Sequence, residues 1–243
     1  MERVTFSISA VIGEGWELAK KHGLMLAVIV FAFYMVMNLI SAPFSMPSQD
    51  VMDKYMNAIQ HQDFEGAMRA INGMTTGAGY YIASVLESII SIVFFAGFVR
   101  TCILLANHSM EKLSFDGFKM PVMTYLKVFG LSIIVGFIVL IGTFLCILPG
   151  IWLAIKLSMS EYYLLDHPEA GIGESIKASW EMTKGNFWNL VGLFITNFFL
   201  VLLGLCVCCI GVMFAIPWTY FNEITAYNTL LANYIPEVQY ETV

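Results

Sequence analysis

Residues Leu148–Leu190, LPGIWLAIKLSMSEYYLLDHPEAGIGESIKASWEMTKGNFWNL, decide the fold. Leu148-Pro149-Gly150 is a turn signal. An apolar helix follows with Lys156 and Glu161 inside it, then a polar exit at Asp166-His167-Pro168. Residues 171–184 show apolar positions at helical spacing and carry Trp180 and Lys184, the pattern of a helix lying in a membrane interface. Gly185-Asn186 then leads into the next apolar run. The unit is an interfacial helix, a span, a turn and a returning span, and the rest of the chain repeats it with variations.

Composition agrees with a membrane solvent. The 243 residues are 58% apolar and 12% charged, against roughly 25% charged in soluble domains. A soluble core of this size does not need so much apolar surface, so the excess is expected to face lipid. No Lys/Arg-rich run points to nucleic acid. Met1-Glu2-Arg3 leads into a mixed stretch without the pattern of a cleavable signal, so targeting is expected to rest on the first span.

Taken in order, residues 5–22 read as an interfacial helix with Trp16 and Lys20 as anchors, and Leu24–Ala42 has the length of about 20 residues that crosses a hydrocarbon core. Residues 43–79 are polar and are expected to form a lid or a loose loop, with Met52, Met56, Ile59 and Met68 on one face of a short helix. Tyr80–Asn107 is the second span. Residues 111–127 read as another interfacial helix, Val128–Leu148 and Ile151–Asp166 as a hairpin turning at Pro149-Gly150. Phe187–Cys209 and Val212–Asn233 form a last hairpin turning at Ile210-Gly211. The expected fold is all-α: one membrane domain over residues 1–243, six transmembrane helices in three hairpin repeats of about 5–107, 111–166 and 171–233, with an outer loop at 43–79.

Trp16-Glu17-Leu18-Ala19-Lys20 matches Trp180-Glu181-Met182-Thr183-Lys184, and returning helices end in Leu104-Leu105, Leu164-Leu165 and Leu230-Leu231, which favours true internal repetition. Eight of the twelve Lys and Arg residues fall on the side of the N-terminus. The positive-inside rule then puts both termini in the cytoplasm and residues 43–79 outside.

Ionisable groups at bilayer depth cost roughly 2.5–3.5 kcal/mol and are expected to face the bundle and pair. At 1.5 Å per residue, Glu87 and Lys156 lie about 10 Å and 9 Å from the outer helix ends, while Arg100 and Glu161 lie about 10 Å and 8 Å from the inner ends. These depths suggest Glu87–Lys156 and Arg100–Glu161 pairs. Glu223 sits about 18 Å from Ile210-Gly211, beside Asn222 and six residues after Pro217. It has no leftover basic partner and is the expected titratable centre. The cysteines Cys102, Cys146, Cys206, Cys208 and Cys209 all lie in apolar runs. They read as buried small hydrophobes, with a disulfide from Cys146 to Cys206, Cys208 or Cys209, or thiolate metal binding, as alternatives.

Leu148-Pro149-Gly150, Lys156, the polar exit before Pro168, Ser179-Trp180, Thr183-Lys184-Gly185-Asn186-Phe187-Trp188, and Pro217 ten residues before Tyr227 form a pattern over residues 145–232. It resembles the bacterial six-helix membrane family called domain of unknown function 975. It is also similar to the membrane domain attached to some glycerophosphodiester phosphodiesterases. The resemblance implies a six-helix bundle in a prokaryotic cytoplasmic (inner) membrane. It carries little function, and this chain has no residues left to build the catalytic barrel of the phosphodiesterases. Relatives often carry Arg at the position of Lys156, and the Cys206-Cys208-Cys209 cluster has no known counterpart there.

No enzyme constellation is present. His22, His61, His108 and His167 are scattered without an HExxH pair, and neither a GxSxG nor a Walker loop occurs. Neither cofactor nor metal is expected. The first functional reading is a non-enzymatic scaffold or accessory protein. Its partner is the phospholipid bilayer, with another membrane protein or self-association as a further partner class. The alternative is a small transporter or channel with a polar path around Glu223.

Overall fold

The computed structural model describes residues 4–45, 49–75, 78–107, 114–206 and 209–234. Arg3, His108, Lys112, Cys208, the side chain of Cys209 and the acidic tail lie outside the described residues. Among these residues every regular element is helical. Helix α1 (Ile8–Leu18) passes through a π-helical turn, Ala19–Gly23, into α2 (Leu24–Ser45). There follow α3 (Gln49–Gln60), α4 (Phe64–Thr75), α5 (Ala78–Ala106), a 3-10 turn at Phe115–Phe118, α6 (Val122–Leu145) and α7 (Ile147–Leu157). The series closes with α8 (Ser160–Asp166), α9 (Ile172–Met182), α10 (Phe187–Cys206) and α11 (Cys209–Leu231).

Four helical stretches are long and apolar enough to cross a membrane: Ile8–Ser41, Tyr81–Ala106, Val122–Leu145 and Phe187–Cys206. Their apolar side chains are left open, Leu24 at 72% and Phe144 at 93% exposure. Water would penalise rows of such side chains, whereas lipid accepts them. The chain is therefore all-helical and carries the helices of a multi-pass membrane protein. The other two expected spans fall on α7 with α8, which are separate short helices, and on α11, which is polar in its second half.

The chain divides into two compact units, residues 1–28 with 94–243, and residues 29–93. In the first unit, α6 pairs with α7 and α10 pairs with α11. Glycines allow both close approaches: a Cβ on Gly204 would lie 2.8 Å from the Gly211 carbonyl oxygen, and one on Gly150 would lie 2.7 Å from Thr143 Cα. Small residues of this kind let helix backbones meet where lipid supplies no hydrophobic drive between helices. The core of this unit gathers the fully buried Leu164, Leu165, Met182, Leu190, Leu193, Phe221, Ile224, Tyr227 and Leu230. In the second unit, α3 and α4 form a short helical hairpin, so residues 49–75 are ordered helix rather than a loose loop.

Several expected boundaries change. Leu148-Pro149-Gly150 is the first turn of α7, where proline's missing N–H costs nothing; the reversal is made one step earlier by extended Cys146. Ile210-Gly211 likewise lies inside α11. Residues 111–127 are not one interfacial helix: Gly117 and Pro121 interrupt the segment, leaving the 3-10 turn and the start of α6. There Ser114 Oγ accepts a bond from the Asp116 amide at 3.2 Å and donates to the Asp116 carboxylate. Lys119 Nζ donates to the same carboxylate at 2.7 Å. These bonds, Lys119 first and Ser114 second, hold the Asp116 carboxyl below its ordinary range. Residues 5–22 are not a helix separate from the first span either. Helix α1 runs unbroken into α2 and packs along α11, Gly15 against Asn222 and Gly23 against Phe214.

Candidate functional site

The cluster with most chemistry lies where α8, α10 and α11 meet. Tyr162 OH donates to Glu223 Oε2 at 2.6 Å, and Asn197 Nδ2 donates to Glu223 Oε1 at 3.1 Å. Asn222 Nδ2 donates to Asn197 Oδ1 at 2.9 Å. Asn222 is fully buried and Asn197 is 5% exposed, while Glu223 is half-buried. The two donors converge on the two carboxyl oxygens, one bond to each. Asn222 Oδ1 faces the backbone of Gly15 and has no hydrogen-bond partner among the described residues. Pro217 lies six residues before Glu223 and removes one helix donor, yet α11 continues through it.

One turn further along α11, Tyr227 OH donates to Asp166 Oδ2 at 2.9 Å, and its ring stacks on Tyr162 at 6.1 Å. Tyr163 OH donates to Glu174 Oε1 at 3.1 Å. Glu223, Tyr162 and Tyr227 therefore bind α8, α10 and α11 through side chains, and Tyr163 ties α8 to α9.

The break between α7 and α8 leaves the Lys156 carbonyl and the Met159 amide without helical partners. Ser179 of α9 serves both: its Oγ donates to Lys156 O at 2.8 Å and accepts from Met159 N at 3.1 Å. Lys127 of α6 donates to the carbonyls of Pro168, Glu169 and Ala170 at 3.0, 3.3 and 2.9 Å, clamping the loop between α8 and α9. At the start of the chain, Asn233 exchanges two bonds of 2.8 Å with the Val4 backbone. Asn186 donates to Val4 O and Asn189 to Phe6 O, each at 2.9 Å. Asn186 reaches this position because Gly185 takes φ 82°, the left-handed turn that ends α9 and favours glycine.

The sequence-derived site residues disperse. Asn222 and Glu223 join the central cluster. Arg100 and Glu161 make no ion pair with each other; Arg100 Nη1 is buried without a hydrogen-bond partner among the described residues. Lys156 places its ammonium over the Trp180 ring, 5.8 Å from its centre. Glu87 is exposed on α5, in the second unit. Trp16 is 37% exposed and tilts against Trp218 at 4.6 Å, and Trp180 meets Trp152 edge-on at 5.2 Å. Lys20 bonds Glu17 at 2.6 Å and Lys184 bonds Glu181, so both Trp-Glu-x-x-Lys segments close the same i,i+3 pair. Cys102, Cys146 and Cys206 are free thiols, which removes the Cys146–Cys206 disulfide. Cys102 is buried as expected; Cys146 and Cys206 are exposed. Among the described residues no three of His, Cys, Asp and Glu gather to hold a metal ion.

Asn197 was legible as an amide in the middle of an apolar run. Tyr162, Ser179 and Lys127 carried no sequence signal of their roles.

An apolar groove of about 550 Å³ lies elsewhere in this unit, lined by Leu148, Pro149, Ile151, Trp152, Phe187, Trp188 and Val191 of α7 and α10. Fold and groove together define a multi-pass helical membrane protein with a packed polar brace and an open apolar flank. No family model, curated protein or solved structure matches the chain.

Proposed function

We propose that this chain is a non-enzymatic scaffold or accessory protein of a prokaryotic cytoplasmic membrane, akin to the domain of unknown function 975. Its partners are lipid and another membrane protein. In this reading α7–α8 and α11 complete six spans as three related hairpins, both termini face the cytoplasm, and residues 43–79 lie outside. The observation that carries the reading is the groove of about 550 Å³ between α7 and α10, lined only by apolar residues. The network at Glu223 supports it too, because both carboxylate oxygens already bond neighbouring helices.

Native mass spectrometry of the purified protein counts retained phospholipids. Val191→Asp, which puts a charge in the groove, is expected to strip bound lipid, and Glu223→Gln to leave it in place. Retention unchanged by Val191→Asp, together with a Glu223-dependent ion flux in proteoliposomes, would replace this reading with the transporter.

A further inference from the structure

The hairpin of α3 and α4 exposes two matching apolar stripes. On α3 they are Met52, Met56 and Ile59, exposed by 41, 58 and 48%. On α4 they are Phe64, Met68 and Ile71, exposed by 78, 58 and 39%. Both stripes follow i, i+4, i+7 spacing, so each occupies one narrow arc of its helix. Three residues join the helices, which makes them antiparallel neighbours. Ala67 and Ala70 of α4 are buried at 5 and 8% and face α3. With that edge fixed, helical rotation brings both stripes to the same side of the hairpin. The opposite side carries the charges: a cleft of about 490 Å³ there is lined by Lys54, Asn57, His61, Asp63 and Arg69, and also by Val51, Ala58, Gly66 and Ala70. Asp50–Lys54 and Glu65–Arg69 ion pairs of 2.6 and 2.7 Å flank it.

Among the described residues the stripes stay exposed, and α3 has no buried residue at all. Isolated helices of this length are marginal in water, so the hairpin needs an apolar partner. Its tethers say which one. Four peptide steps join Ser45 to Gln49, a reach of at most about 14 Å, and three join Thr75 to the start of α5 at Ala78. We propose that α3 and α4 form an amphipathic plate on the bilayer surface beside the end of α2 and the start of α5. The stripes enter the headgroup–acyl boundary and the side that carries the charges faces water. The proposal rests on the reading of α2 and α5 as membrane spans.

The test uses full-length protein in phosphatidylcholine–phosphatidylglycerol nanodiscs. Nitroxides are attached to a keto amino acid introduced by codon suppression, which leaves the native cysteines in place. Labels go singly at Met52, Met56 and Met68 on the stripes, at Asn57 on the polar side, and at Phe31 in α2. The ratio of oxygen to nickel-chelate collisions is expected to be several-fold higher at the stripe positions than at Asn57, approaching that at Phe31. The double variant Met56→Asp, Met68→Asp should bring the Met52 label to the aqueous ratio without moving the melting of the tryptophan fluorescence. Stripe labels as open to nickel as Asn57 would overturn the proposal. So would stripe labels shielded from both reagents, which means a protein cover; broadening that disappears on dilution with unlabelled protein would identify it as a second copy. A water-exposed Phe31 would instead overturn the spanning reading beneath the proposal, and the proposal with it.

Discussion

Gly13 and Gly15 lie two residues apart in α1, and alanine is expected to act on them with opposite signs. A Cβ on Gly13 has no atom within 4 Å. Only the helix-propensity gain of about 0.8–1.0 kcal/mol remains, so Gly13→Ala should stabilise. A Cβ on Gly15 would lie 2.0 Å from Asn222 Oδ1 and 3.0 Å from the Asn222 backbone nitrogen. Rotating the amide away relieves the first clash but breaks its bond to Asn197, worth about 0.5–1.5 kcal/mol. The second clash cannot be relieved by a side chain, so α1 must lift from α11 at an overpacking cost of about 1–3 kcal/mol. Setting the propensity gain against both costs leaves Gly15→Ala destabilising by about 0.5–3.5 kcal/mol. Thermal unfolding in detergent, followed by tryptophan fluorescence, reads both variants, since Trp16 and Trp218 sit on either side of this contact. Gly15→Ala melting at or above Gly13→Ala would refute the docking of α1 on α11.

Two further outcomes are expected. Ser179→Ala leaves the buried Met159 amide unsatisfied and should cost about 1–3 kcal/mol in the same melt, whereas an unchanged melt would mean that the α7–α8 break needs no cross-helix support. The Asp116 carboxyl is held low, so the stability it contributes is present above the unfolded value of about 3.9. That contribution is lost as pH falls through the folded value. Amide exchange at Asp116–Lys119 should therefore accelerate only in acid below that range, and Asp116→Asn should abolish the dependence.

The apolar runs at Leu24–Ala42, Tyr80–Asn107, Val128–Leu148 and Phe187–Cys209 marked the four long helices, because twenty apolar residues in a row have few other uses. What escaped were features set by contacts between distant segments. Pro149-Gly150 has the composition of a turn, but proline is equally at home in the first turn of a helix, and only the extended Cys146 shows which applies. Residues 5–22 have the amphipathic pattern of an interfacial helix, and a helix docked on α11 produces the same pattern. Depth counting matched Arg100 to Glu161 along the bundle axis but held no information on the direction each side chain takes around it. Asn222 and Glu223 were found because polar groups in an apolar helix stand out. Their partner Tyr162, an aromatic among aromatics, did not.

The asparagine staples on Val4 and Phe6 also set an order of assembly. Asn186, the first of them, follows Val4 by 182 residues. At about 5–20 residues per second of synthesis, residues 4–18 wait on the order of 10–40 s for the segments that hold them. The first helix made is thus the last to be seated. Until Asn186, Asn189 and Asn233 have been translated, the Val4 and Phe6 backbone groups and the Gly15 face lack the partners that hold them in the folded chain. Closure of the staple is then a physical signal that the last hairpin has arrived.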